Sequence, residues 1–215
     1  MLLTIHWQSV AWAEAGWVAL GAYLLGCFST GYYLVRFRHK SDIRDLGSGN
    51  AGARNVGRLL GWQGFLLTVL GDIGKGALAV WATKHFFPGD GLAVLAALGV
   101  VAGHIWPFQL KFHGGKGMAT TLGALWFLDF RLVIGIGLSF IVPWMFLRST
   151  VLPGLLGVCL LPLMGWWLGH SPTMNVGLAS LAILVLAAHR KNLVKEVSEL
   201  VAARHPTADE DHTKL

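Results

Sequence analysis

Charge is what this chain lacks most. Only 13% of its 215 residues are Asp, Glu, Lys or Arg, about half the share of an ordinary soluble domain. So ion-poor a surface is expected to face lipid, and 54% hydrophobic content argues against nucleic acid as a partner despite the formal charge of +6. Cysteine is nearly missing. Cys27 and Cys159 lie in apolar stretches without metal-ligand spacing, so both are expected to be buried small hydrophobes. Histidines are dispersed and no carboxylate pair accompanies them, which speaks against a metal centre. The N-terminus lacks the basic start of a cleavable signal peptide. No internal repeat is visible.

Long apolar runs, Gly and Trp are what the chain has in abundance, with 28 Gly and 10 Trp. A helix needs about 20 apolar residues to cross the hydrocarbon. Seven candidate spans emerge, at about Ala11–Val35, Trp62–Thr83, Gly91–Leu110, Met118–Leu128, Leu132–Leu147, Val151–Leu168 and Met174–Ala188. The short fourth is expected to lie partly inside the bundle or to be half re-entrant. Basic residues set the orientation. Arg36, Arg38, Lys40, Arg44, Arg54, Arg58, Lys111, Lys116, Arg148, Arg190, Lys191, Lys195 and Arg204 fall on one side, and Lys84 and Arg131 beside Asp90 and Asp129 on the other. The prediction is an all-α integral membrane protein of seven transmembrane helices, N-terminus outside and C-terminus cytoplasmic. Residues 1–202 form the membrane domain, and residues 203–215 a polar, disordered cytoplasmic tail. Gly135, Gly137, Gly154 and Gly157 are expected to let helices pack closely.

The chemistry lies where spans meet the cytoplasm. The first loop reads Gly47-Ser48-Gly49-Asn50-Ala51-Gly52-Ala53-Arg54-Asn55-Val56-Gly57-Arg58. Its glycines allow positive φ, so successive backbone N–H groups are expected to converge on an anion. Ser48 and Asn50 add neutral donors, and Arg58 adds a fork that fits phosphate oxygens. A second loop, His113-Gly114-Gly115-Lys116-Gly117-Met118-Ala119-Thr120, puts a lysine among glycines at a helix start, where anions are favoured. Its spacing is not that of a P-loop, so a nucleotide is not implied. Asp72 and Lys75 share a helix face, as a structural ion pair or as support behind the loops. His104, ending the third span, is a general base, a phosphate ligand or a structural group. His189 and Asn192 share a face at the exit of the seventh span, where with Arg190 they can close over a substrate. Ser149 is a lesser candidate.

Four of these blocks, in order, resemble the PlsY-type acyl-phosphate:glycerol-3-phosphate acyltransferases. They are Gly47 to Arg58; the Gly-Asp-x-x-Lys-Gly of Gly71 to Gly76; Gly103 to Thr120; and the His-Arg-x-Asn of His189 to Asn192. Arg148-Ser149 fits an Arg-x-Ser region. The resemblance implies a seven-span membrane enzyme with no organic cofactor. It would move a fatty acyl group from acyl-phosphate to the 1-hydroxyl of sn-glycerol 3-phosphate, giving lysophosphatidate and phosphate, in the bacterial cell membrane with its site facing the cytoplasm. Ser48, Gly49, Asn50 and Ser149 would hold acyl-phosphate; Arg58, Lys116, His189 and Asn192 would hold glycerol 3-phosphate. Arg54, Asn55, Gly114, Gly115, Gly117 and Thr120 would complete the binding surface. His104, Lys116 and Asn192 are the expected catalytic group, with Asp72 and Lys75 behind them. Arg54 stands where the family pattern has Thr, and Gly26-Cys27-Phe28-Ser29 replaces Gly-Ser-x-Pro. An organophosphate transporter, or a diverged relative acting on another acceptor, is the alternative.

Overall fold

A computed structural model describes residues 12–147 and 149–204. Arg148 and residues 205–215 of the expected tail lie outside the described residues. The helices are α1 (Trp12–Cys27), α2 (Thr30–His39), α3 (Ala53–Phe86), α4 (Asp90–Ile105), α5 (Met118–Leu147), α6 (Val151–Cys159), α7 (Leu161–Trp167) and α8 (Pro172–Arg204). Two short 3-10 turns, Ile43–Asp45 and Phe108–Leu110, lie in the loops. No strand occurs among the described residues. The stretches Trp12–His39, Ala53–Phe86, Asp90–Leu110, Met118–Leu147 and Pro172–Glu199 are each long and apolar enough to cross a membrane. All nine tryptophans among the described residues are exposed, as suits a lipid-facing surface.

The interruptions position the site. The first apolar run is broken at Phe28 and Ser29 into α1 and α2. Backbone carbonyls freed inside a membrane need partners. Lys75 serves Gly26 and Phe28, and the Gln109 amide serves Cys27. Helix α3 begins at Ala53, well before the expected Trp62, and turns at Gly61 (φ 72°). Arg54 and Arg58 therefore ride on a short helical arm and not on a loop. The expected fourth and fifth segments run together as α5, with one extended residue between them, Asp129 (φ −160°, ψ 113°). Its carboxylate accepts the Arg131 N–H at 2.9 Å, capping the second half of the helix, while Lys84 closes the Phe127 and Leu128 carbonyls that end the first half. The Val151–Leu168 run is divided at Leu160, just ahead of Pro162. The last helix continues far beyond Ala188, and residues 203 and 204, expected in the tail, are its final two.

Reciprocal glycines bring two helix pairs together. A Cβ on Gly26 would overlap the Val100 carbonyl and one on Gly103 the Tyr23 carbonyl, so α1 and α4 touch backbone to backbone. Gly76 against Thr120 and Gly123 against Ile73 do the same for α3 and α5. These are small-residue crossings of the membrane type. Of the glycines expected to pack, two do so closely. A Cβ on Gly135 would come within 2.8 Å of the Met164 sulfur, and one on Gly157 within 2.8 Å of the Ser139 hydroxyl. Gly154 makes only ordinary contact, and Gly137 opens on empty space, so its packing role is corrected. Cys27 is buried as expected; Cys159 is exposed, on the outer side of α6. Val100, Val101, Leu125, Leu178 and Leu181 anchor the main core, and Val35, Ile43, Ala51 and Val56 form a smaller one beneath the first loop.

Candidate active site

Three contacts gather the predicted blocks at one end of the bundle. Arg44 in the first loop donates to the Leu110 carbonyl at 2.6 Å. Lys116 donates to Asn192 Oδ1 at 2.5 Å. Ser149 donates its hydroxyl to the Glu196 carboxylate. Blocks far apart in sequence thus share one surface, while Lys84, Asp129 and His170 meet at the opposite end.

The first loop is built around Asn55. This side chain is only 1% exposed. Its amide NH2 donates to the carbonyls of Leu46 (2.9 Å) and Asn50 (3.0 Å), and its oxygen accepts the Ser48 N–H at 3.0 Å. Both N–H donors of the amide are consumed, so Asn55 shapes the loop and has no donor left for an anion. The expected convergence of backbone N–H groups is likewise corrected. Ser48 N–H points at Asn55, Gly49 N–H at the Leu46 carbonyl and Gly52 N–H at Asn50 Oδ1. Positive φ at Gly47 (56°) and Gly49 (68°) serves a tight internal turn. What the loop presents outward is the Ser48 hydroxyl, the Asn50 amide nitrogen and its cations. At its base, hydrogen bonds from Arg44 hold the Asp42 carboxyl below the usual carboxylate range, and Asp42 raises Arg44 in return.

The second loop is also tied inward. Gly114 N–H donates to the Ile105 carbonyl (3.0 Å) and Gly115 N–H to that of His104 (3.1 Å). Neither N–H is free for an anion. Thr120 is wholly buried against α3 and its hydroxyl lacks a partner, so it too is withdrawn from the binding surface. His104, 4% exposed, lies behind the loop with Asp72 and Lys75. Lys75 Nζ stands 3.0 Å from Asp72 Oδ1 and 2.8 Å from His104 Nδ1. The expected ion pair is therefore present, with His104 as its third member.

Lys116 projects from this support, half-buried, at the start of α5, whose first N–H groups have no partner within the helix. Burial, with Arg54 and Lys191 behind it, pushes its ammonium below the ordinary lysine range. Arg58 follows Arg54 by four residues and so shares its face. His189 Nδ1 donates to the Val185 carbonyl at 2.8 Å, leaving Nε2 as the free ring nitrogen. It lies within electrostatic reach of Lys116 and Arg54. Sequence reasoning missed Glu196. It falls on the face of α8 that carries His189 and Asn192 (spacing i, i+3, i+7), a periodic signal that was available. It pairs with Ser149, whose oxygen also accepts the Val151 N–H at 3.1 Å.

Lys116, Arg54 and Lys191 form a cationic surface, and among the described residues the one close side-chain partner of Lys116 is a neutral amide. Such a surface suits an anion carrying more than one charge. The fold and this surface define a multi-pass membrane protein with a cationic surface at one end of a helical bundle.

Residues 16–199 match the profile of the family described as glycerol-3-phosphate acyltransferase. A glycerol-3-phosphate acyltransferase 1 of Desulfitobacterium hafniense is 43% identical over 165 residues, 77% of this chain and 82% of the relative. That of Bacillus anthracis is 37% identical over 157 residues, 73% of this chain and 83% of the relative. Among solved structures, the glycerol 3-phosphate form of PlsY (YgiH), an integral membrane glycerol 3-phosphate acyltransferase, superposes with a TM-score of 0.80 at 26% identity. The match covers 86% of this chain and 93% of that one. The lysophosphatidic acid form gives 0.78. The chain belongs to the glycerol-3-phosphate acyltransferase family and is an acyltransferase, not a transporter.

Proposed function

We propose that this enzyme takes its acyl group from acyl-phosphate and transfers it to the 1-hydroxyl of sn-glycerol 3-phosphate. The observation that carries the reading is the half-buried Lys116, held by Asn192 beside Arg54 and Lys191. Lys116, Arg54, Arg58 and the Asn192 amide nitrogen hold the acceptor phosphate. His189 Nε2, the acceptor nitrogen of a ring whose proton is on Nδ1, takes a hydroxyl of the same glycerol 3-phosphate. Ser48 and Asn50 hold the donor phosphate, and Ser149 joins them when a phosphate oxygen replaces the Glu196 carboxylate as the acceptor of its hydroxyl. Fixing two anions side by side brings hydroxyl and carbonyl together, and the cations offset the charge of the transition state. The acceptor oxygen forms its bond to the acyl carbon, the carbon–oxygen bond to phosphate breaks, and the hydroxyl proton goes to a phosphate oxygen. Lysophosphatidate and phosphate leave.

The reading includes seven crossings with the N-terminus outside and the site facing the cytoplasm. The extended corner at Asp129, which divides α5, and the paired short helices α6 and α7 support that count. The basic loops gathered at one end support the orientation. Purified protein given palmitoyl-phosphate and glycerol 3-phosphate is expected to release phosphate and form lysophosphatidate, whereas palmitoyl-CoA gives no product. Folded protein that is active only with palmitoyl-CoA refutes the donor assignment.

A further inference from the structure

The interior of α3 carries two charges that no substrate role uses. Asp72 and Lys75 are 3% and 5% exposed. Four acceptors surround Lys75 Nζ: Asp72 Oδ1 at 3.0 Å, the Phe28 carbonyl at 2.7 Å, the Gly26 carbonyl at 3.2 Å and His104 Nδ1 at 2.8 Å. An ammonium only donates, and with three N–H groups it serves the three nearest acceptors while the Gly26 carbonyl shares a proton. The 2.8 Å contact with Nζ, shorter than the 3.5 Å from Nδ1 to Asp72 Oδ1, makes His104 Nδ1 an acceptor, so the ring carries its proton on Nε2. Asp72 and Lys75 then cancel and the ring is neutral, the arrangement a low-dielectric interior tolerates.

The other side of the ring meets the second loop. A Cβ on Gly115 would overlap His104 Nε2, and one on Gly114 would overlap the His104 carbonyl and crowd the Pro107 ring. Both glycines also donate their N–H groups to the end of α4. The peptide immediately before Lys116 is thereby clamped by backbone bonds and by the imidazole face.

We propose that His104 is a positioning residue for Lys116. Lys75, tied to Asp72 and to the carbonyls freed at the α1–α2 break, fixes the ring, and the ring fixes the Gly114–Gly115 peptide that aims the Lys116 ammonium. The proposal rests on the reading of Lys116 as the acceptor-phosphate ligand. His104 itself touches no substrate and passes no proton.

Three variants of the full chain test this. His104→Asn keeps an oxygen where Nδ1 accepts from Lys75 but removes the ring atoms that meet Gly115. His104→Phe fills the space but leaves Lys75 without that acceptor, and His104→Gln moves its amide to the Nε2 side. For Phe and Gln, KM for glycerol 3-phosphate is expected to rise about tenfold, one charge-assisted hydrogen bond's worth, with KM for acyl-phosphate unchanged. His104→Asn, which loses the ring atoms against Gly115 but keeps the acceptor for Lys75, is expected to raise the same KM by a smaller factor and to keep both limbs of the pH profile. A mass-spectrometric readout of Lys116 labelling by an amine-reactive reagent needs no substrate. Labelling should change in all three variants, least in Asn. Equal labelling in all proteins overturns the proposal. So does a His104→Asn variant that loses kcat together with a limb of the pH profile, which would make His104 the base. Altered labelling in a protein that binds no glycerol 3-phosphate by calorimetry leaves the positioning role standing and removes the acceptor assignment.

Discussion

Replacing Lys116 by Met separates binding from folding. The methionine keeps most of the side-chain volume but removes the ammonium and its bond to Asn192. A charge-assisted hydrogen bond contributes about 1.5–3 kcal/mol net, and each step of about 1.4 kcal/mol is a factor of ten. We therefore predict that KM for glycerol 3-phosphate rises between about ten- and a hundredfold. Because the cations also offset the charge of the transition state, kcat is expected to fall as well. Stability should move the other way. Lys116 is half-buried against Arg54 and Lys191, so its removal relieves like-charge repulsion. The melting temperature of the ligand-free variant is expected to equal or exceed that of the wild type. Steady-state kinetics with each substrate varied, beside thermal unfolding of the same preparations, decides the matter. Unchanged KM together with a lower melting temperature would refute the reasoning, because Lys116 would then be a structural residue.

The same geometry sets three further outcomes. Asn55→Leu removes the amide that satisfies Ser48, Leu46 and Asn50. It should lower stability by about 2–4 kcal/mol and abolish activity, readable by thermal unfolding and phosphate release. Gly123→Ala places a methyl against the Ile73 carbonyl and should sharply lower the melting temperature, whereas Gly137→Ala meets open space and should raise stability by up to about 1 kcal/mol. The lowered ionisation of Lys116 makes the ligand-free fold bind fewer protons than the unfolded chain, between the depressed value and the ordinary one near about 10.4. Stability gained through this group therefore rises with pH across that window, so the advantage of Lys116→Met over wild type should shrink as pH climbs toward about 10 in thermal-unfolding titrations.

Much of the site was legible because its chemistry is local. Lys116 among glycines, His189 and Asn192 on one helix face, and Asp72 one turn from Lys75 are all short-range patterns. What stayed hidden were hydrogen-bond destinations. In the sequence, Gly49, Gly114 and Gly115 look like donors to an anion, yet their N–H groups serve nearby carbonyls, and Asn55 spends its amide on its own loop. Glu196 went unnoticed because its partner Ser149 lies on another segment.

The low charge and apolar runs by themselves determined that this chain is a helical membrane protein with basic loops rich in glycine. Those properties depend on composition and on residues a turn or two apart, where hydrophobic transfer and helix geometry act. Only the tertiary structure decided where the runs break, which glycines touch a neighbouring backbone, and that His104 faces Lys75 on one side and Gly115 on the other. These outcomes depend on which segment supplies the missing donor or acceptor inside a medium without water, and that partner is set by packing and not by sequence distance.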